Sequence, residues 1–135
     1  CEQHPVLYAL LVDALSRAEL HEEANNVVQR MRMIHGNSSD VLNNMSEANS
    51  KRPDVVYLDP MYPGRKKSAK IKKDMQILQH LVGHDSQGDI LFETAFATAL
   101  SRVVVKRPKT ADPITSHKPS YGVSSVNTRY DVYVL

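Results

Sequence analysis

Val55-Val56-Tyr57-Leu58-Asp59-Pro60-Met61-Tyr62-Pro63 is the stretch on which the reading of this chain turns. Four apolar residues in an unbroken run suit a strand buried on both faces of a parallel sheet. Asp59-Pro60 ends it, because proline cannot donate to a sheet ladder. In an open α/β sheet, ligands bind at the carboxyl ends of the strands, which is where Asp59 falls. A carboxylate there can accept a hydrogen bond from an exocyclic amino group, and Pro60 stiffens the loop. Tyr62 can stack on a splayed-out base, a contact worth roughly 1–3 kcal/mol. Asp59, Pro60 and Tyr62 are therefore the candidate catalytic residues.

Working outward, 49–53 read as a loop before the strand and 61–67 as a loop after it. A helix is expected over about 68–82, with Ile71, Met75 and Leu78 on its buried side and Gly83 as its stop. Another follows over 86–101. Arg102-Val103-Val104-Val105-Lys106 reads as a second buried strand, closed by Arg107-Pro108. Two further strands, about 120–126 and 128–135, form a hairpin turned at Asn127. Upstream, Pro5 opens a helix whose apolar residues, Val6, Leu7, Leu10, Leu11, Ala14, Leu15 and Ala18, share one face. A short helix near 22–29 leads to Met31-Arg32-Met33-Ile34, which alternates and stops at Gly36, as a strand would. Ser38, Ser39 and Asp40 are N-cap types before a brief helix over 41–45. Strands alternating with helices and closing on a hairpin specify an α/β sheet, mainly parallel with an antiparallel edge.

The composition suits one domain: 135 residues, 41% hydrophobic and 24% charged. No apolar run is long enough for a membrane span and no signal peptide is visible, so the expectation is a cytoplasmic protein. The single cysteine, Cys1, cannot close an internal disulfide or build a Cys-based zinc site. His80 and His84 have helical spacing but are interrupted by Gly83, and they read as the polar end of a helix rather than a metal pair. The net charge of +2 conceals sorting along the chain. Residues 51–73 hold 8 basic and 2 acidic groups, while 74–101 hold 4 acidic groups and no lysine or arginine. The basic block Arg65, Lys66, Lys67, Lys70, Lys72 and Lys73 directly follows the candidate catalytic loop, as a phosphate-binding surface would. Lys106 and Arg107 can extend it.

Asp59-Pro60-Met61-Tyr62 resembles the Asp-Pro-Pro-Tyr motif of amino-methyltransferases, with Met61 for the second proline. Together with Lys66-Lys67-Ser68-Ala69, Lys72-Lys73, Leu81-Val82-Gly83 and 102–108, the stretch 55–63 resembles the bacterial small-subunit ribosomal RNA guanine-N2 methyltransferase family. The likeness runs from Glu2-Gln3-His4-Pro5 to Arg129-Tyr130-Asp131-Val132-Tyr133.

That resemblance implies a Rossmann-like class I methyltransferase fold, S-adenosylmethionine as cofactor, no metal, and 16S rRNA or the small ribosomal subunit as partner. Glu2 and Gln3 match the position after the second strand where a carboxylate binds the cofactor's ribose, although the family usually has arginine at Gln3. Ser38 and Ser39 match a serine pair beside the adenine, and Asp59 matches a residue near the methyl donor. The family's strand order is 3-2-1-4-5-7-6. Its first strand and glycine-rich loop have no counterpart here, so 1–135 is expected to be the C-terminal portion of one methyltransferase domain. The strands at 31–34 and 55–58 are then not expected to pair. Adenine-N6 or cytosine-N4 methyl transfer would use a similar loop, and a non-catalytic RNA-binding fragment would explain the missing glycine-rich loop.

Overall fold

A computed structural model describes residues 1–47, 52–60 and 88–135. These fall into two units, Cys1–Val41 and Leu42–Leu135. The loop expected at 61–67, the helix at 68–82 and His80 and His84 lie outside the described residues.

The second unit is built on a four-stranded sheet: β1 (Val55–Leu58), β2 (Arg102–Pro108), β3 (Tyr121–Ser124) and β4 (Thr128–Val134), in the order β1-β2-β4-β3. β1 and β2 are parallel, and the other pairs are antiparallel. This is the arrangement of positions 4, 5, 7 and 6 in the order implied by the resemblance. Among the described residues nothing pairs with the other edge of β1. The hairpin turns on Val126 and Asn127, closed by the Ser125 amide donating to the Thr128 carbonyl at 2.7 Å.

Beneath the sheet lies a helix over Gly88–Thr98, here α4. Phe92, Ala95 and Thr98 are buried at its three-residue spacing and, with Ala99, meet Val56, Leu58, Val103, Val105 and Tyr133. The rings of Phe92 and Tyr133 meet edge-on with centroids 4.7 Å apart, a geometry aromatic quadrupoles favour. Leu42 and Ile114 complete this core. Only one face of β1 is buried, since Val55 and Tyr57 are exposed while Val56 and Leu58 point inward. The expectation of a strand covered on both faces is thus corrected for the described residues: a four-residue apolar run carries no signal of which side is covered.

The first unit contains α1 (Pro5–Ala18), α2 (Glu22–Val28) and the start of α3 (Ser38–Glu47). Pro5 occupies the first turn of α1, as expected, yet α1 has no buried residue, and Val6, Leu10 and Leu11 are exposed. The strand expected at 31–34 is absent. One parallel bridge joins Glu2 to His35, made by the Glu2 amide donating to the Ile34 carbonyl and the Gly36 amide to the Glu2 carbonyl. Alternation in Met31–Ile34 is therefore not matched by a continuous partner among the described residues.

Candidate active site

The parallel pairing of β1 with β2 sets Leu58 opposite Val105, so Asp59, just past the end of β1, comes beside Lys106, which is still within β2. The Lys106 Nζ donates to Asp59 Oδ2 at 2.8 Å, with 36% of the lysine side chain and 49% of the aspartate side chain exposed. Strand alternation explains the face they share. Val56 and Leu58 point to the core, so Tyr57 and Asp59 point away from it, as do Val104 and Lys106 on β2. Tyr130 of β4 lies opposite Lys106. Its ring centroid is 6.5 Å from that of Tyr57, so two rings from non-adjacent strands meet over β2.

The hydrogen bond to Asp59 holds the Lys106 ammonium above the usual lysine range, against a smaller opposing effect of burial. Burial first, and then the Asp59 charge, raise the Tyr57 phenol. Both shifts keep their protons in place at neutral pH, leaving Lys106 an ammonium and Tyr57 a neutral phenol. Pro60 follows Asp59 and is half-buried.

The first unit gathers its own set. Gly36 adopts φ +151°, a conformation that side chains rarely take, and so turns the chain beside Glu2. Asn37 then caps α3: its Oδ1 accepts from the Ser39 amide at 2.9 Å. The Asn37 Nδ2 donates to the Gln3 Oε1 at 3.3 Å, and the Cys1 Sγ and Ser38 Oγ lie 3.0 Å apart. One oxygen of the half-buried Glu2 carboxylate accepts from the His4 amide at 2.7 Å, just before α1 begins. The positive end of the helix favours that carboxylate. Glu2, Gln3, Ser38 and Ser39, separated by more than thirty positions in sequence, are thus brought into one region. A carboxylate can accept from a vicinal diol, and an amide and hydroxyls can bond a base edge, so the residue types of this region suit an adenosine.

Arg107 belongs elsewhere. It continues the inward series Val103, Val105, is buried, and donates from its guanidinium to the Asp112 carbonyl, so it anchors the loop after β2 rather than extending an exposed basic surface. Its place in the inward alternation was readable in the sequence, although its charge pointed the other way. The same alternation would have found Tyr57 and Tyr130, which sequence reasoning passed over. Tyr62, Arg65, Lys66, Lys67, Lys70, Lys72 and Lys73 lie outside the described residues. Among the described residues, no group of three or more His, Cys, Asp or Glu side chains could hold a metal ion, and no helix is long and apolar enough to cross a membrane.

Comparison with known proteins supplies the family. A family model described as "Putative SAM-dependent methyltransferase" matches residues 1–135. The ribosomal RNA small subunit methyltransferase J of Thioalkalivibrio sulfidiphilus is 47% identical over 133 residues, which are 98% of this chain and 51% of that protein. Its namesake from Colwellia psychrerythraea is 48% identical over 133 residues, covering 98% and 47%. The chain spans about half the length of these curated relatives. The crystal structure of a SAM-dependent methyltransferase from Neisseria gonorrhoeae superposes with a TM-score of 0.74 at 34% identity, over 98% of this chain and 50% of that one. With its sheet order and a match along its whole length, the chain belongs to the SAM-dependent methyltransferase family.

Proposed function

We propose that this chain serves the methylation of the exocyclic N2 amino group of a guanine in 16S rRNA, with Asp59 orienting that amino group. The single observation carrying the proposal is the carboxylate of Asp59 fixed at the tip of β1, at the end of the sheet where α/β enzymes bind ligands. The names of the relatives, small-subunit rRNA methyltransferases, support the RNA substrate.

When bound, S-adenosylmethionine supplies an electrophilic methyl group on a sulfonium sulfur, which keeps the electron pair of the breaking bond. The chain's residues do the rest. Glu2 takes the ribose hydroxyls, with Gln3, Ser38 and Ser39 around the adenosine. Asp59 accepts an N2 hydrogen bond and so turns the nitrogen, whose lone pair is delocalised into the guanine ring, toward attack. As the new nitrogen–carbon bond forms, Asp59 receives the amino proton directly or through water. Positioning supplies much of the acceleration in such in-line displacements. Pro60 restrains the loop, Tyr62 stacks on the base, and Arg65, Lys66, Lys67, Lys70 and Lys73 take the phosphates beside it.

The test is Asp59→Ala in the intact protein, assayed with methyl-labelled cofactor on small-subunit rRNA. Loss of the proton acceptor should lower turnover by about 10²-fold or more. The thermal midpoint should hardly change, since exposed ion pairs contribute about 0–1 kcal/mol. Near-normal turnover would remove Asp59 from the mechanism, and a wild-type protein that methylates no small-subunit rRNA would overturn the function.

A further inference from the structure

We propose that Lys106 is a positioning residue for the transfer: its ammonium holds Oδ2 of Asp59 and thereby aims Oδ1 at the amino group to be methylated. The inference rests on the reading of Asp59 above and gives Lys106 a role other than the phosphate contact its charge first suggests.

Three observations carry it. The contact is a charge-assisted hydrogen bond of 2.8 Å between residues that the strand register makes neighbours, so the backbone itself brings them together. Both partners are substantially exposed, and a pair of that kind adds little to folding. Stability is therefore a weak reason for the bond. Finally, Tyr57 and Tyr130 close over β2 next to Lys106, so the ion pair sits beside two aromatic rings that limit where the lysine side chain can go.

A carboxylate at a strand tip otherwise rotates freely about its terminal torsion, and an acceptor that must meet one amino group loses most encounters to misalignment. Fixing one oxygen leaves a single acceptor in a defined direction before substrate arrives. Lys106 touches neither the base nor the methyl group in this scheme; it acts through Asp59.

The experiment measures methyl transfer by the intact wild-type protein, Lys106→Met, Lys106→Arg, Asp59→Asn and the double variant Lys106→Met/Asp59→Asn, on small-subunit rRNA at several salt concentrations. Expected is a fall in kcat of about 10- to 100-fold for Lys106→Met with KM for RNA within about two-fold of wild type, substantial recovery in Lys106→Arg, and no further loss when Lys106→Met is added to Asp59→Asn. An unchanged kcat with a raised KM and a shallower salt dependence would make Lys106 a phosphate contact and overturn the proposal. So would a loss that adds fully to that of Asp59→Asn, or an arginine variant as slow as methionine. A wild-type protein without activity on this RNA would instead overturn the function on which the inference rests, so the two failures are distinguishable.

Discussion

Gly36 shows how one residue can decide the course of the chain. Its φ of +151° sends the chain back past Glu2, and an added Cβ would stand 3.5 Å from the Val41 side chain, so space is adequate and the backbone angle is the constraint. Gly36→Ala should destabilise the protein by about 1–3 kcal/mol, the usual strain for a residue forced into a glycine-only region. On the proposed reading of Ser38 and Ser39 as cofactor contacts, it should also weaken S-adenosylmethionine binding, because both follow the turn. Chemical denaturation and calorimetry read the two effects, and a variant unchanged in both would show that the turn does not depend on glycine. At this scale the sequence was only partly legible. Glycine as a stop at 36 was visible, as was the helix-capping chemistry beyond it, but Asn37 rather than Ser38 or Ser39 supplies the cap. Arg129 and Asp131 were visible only as part of a family-like tail; the structure makes them an ion pair at 2.9 Å with the aspartate buried, and it holds the Arg129 guanidinium even more firmly protonated.

Among the elements, α4 is held at its end by a residue that charge counting placed in a basic block. Arg52 donates from Nε to the Thr98 carbonyl at 2.8 Å and from its terminal nitrogen to those of Ala97 and Ala99. These are the carbonyls a helix end leaves without partners, and a cation there also meets the negative end of the helix dipole. Arg52→Ala should therefore lower stability by roughly 1–2 kcal/mol while leaving RNA affinity unaltered. A loss of RNA binding without a change in thermal midpoint would reverse that assignment. Helix α4, β1, β2 and the hairpin were legible because their apolar spacing is regular over several residues. Arg52's partners, forty-five and more positions away, leave no local trace. The exposed apolar face of α1 was equally legible as periodicity, but periodicity states which residues share a face and not what covers it.

For the molecule as a whole, the run Val55–Leu58 and its echo at Val103–Val105 were enough to anticipate a parallel pair, and the regular hairpin pattern anticipated the antiparallel edge. The candidate site was legible where a motif marks it, at Asp59, and by resemblance at Glu2, Gln3, Ser38 and Ser39. It was not legible where register creates it, at the meeting of Asp59 with Lys106 and of Tyr57 with Tyr130, since two strands more than forty residues apart must first be aligned. β2 is bonded along both edges, to β1 on one side and β4 on the other, and Val103 and Val105 on it are fully shielded from water. Its amide protons can reach solvent only when the sheet itself opens, whereas those of α1 need little more than local fraying. In deuterium oxide the segment 103–105 should therefore be among the last to take up label and 5–18 among the first, and reversed kinetics would mean that β2 is not the most protected part of this fold.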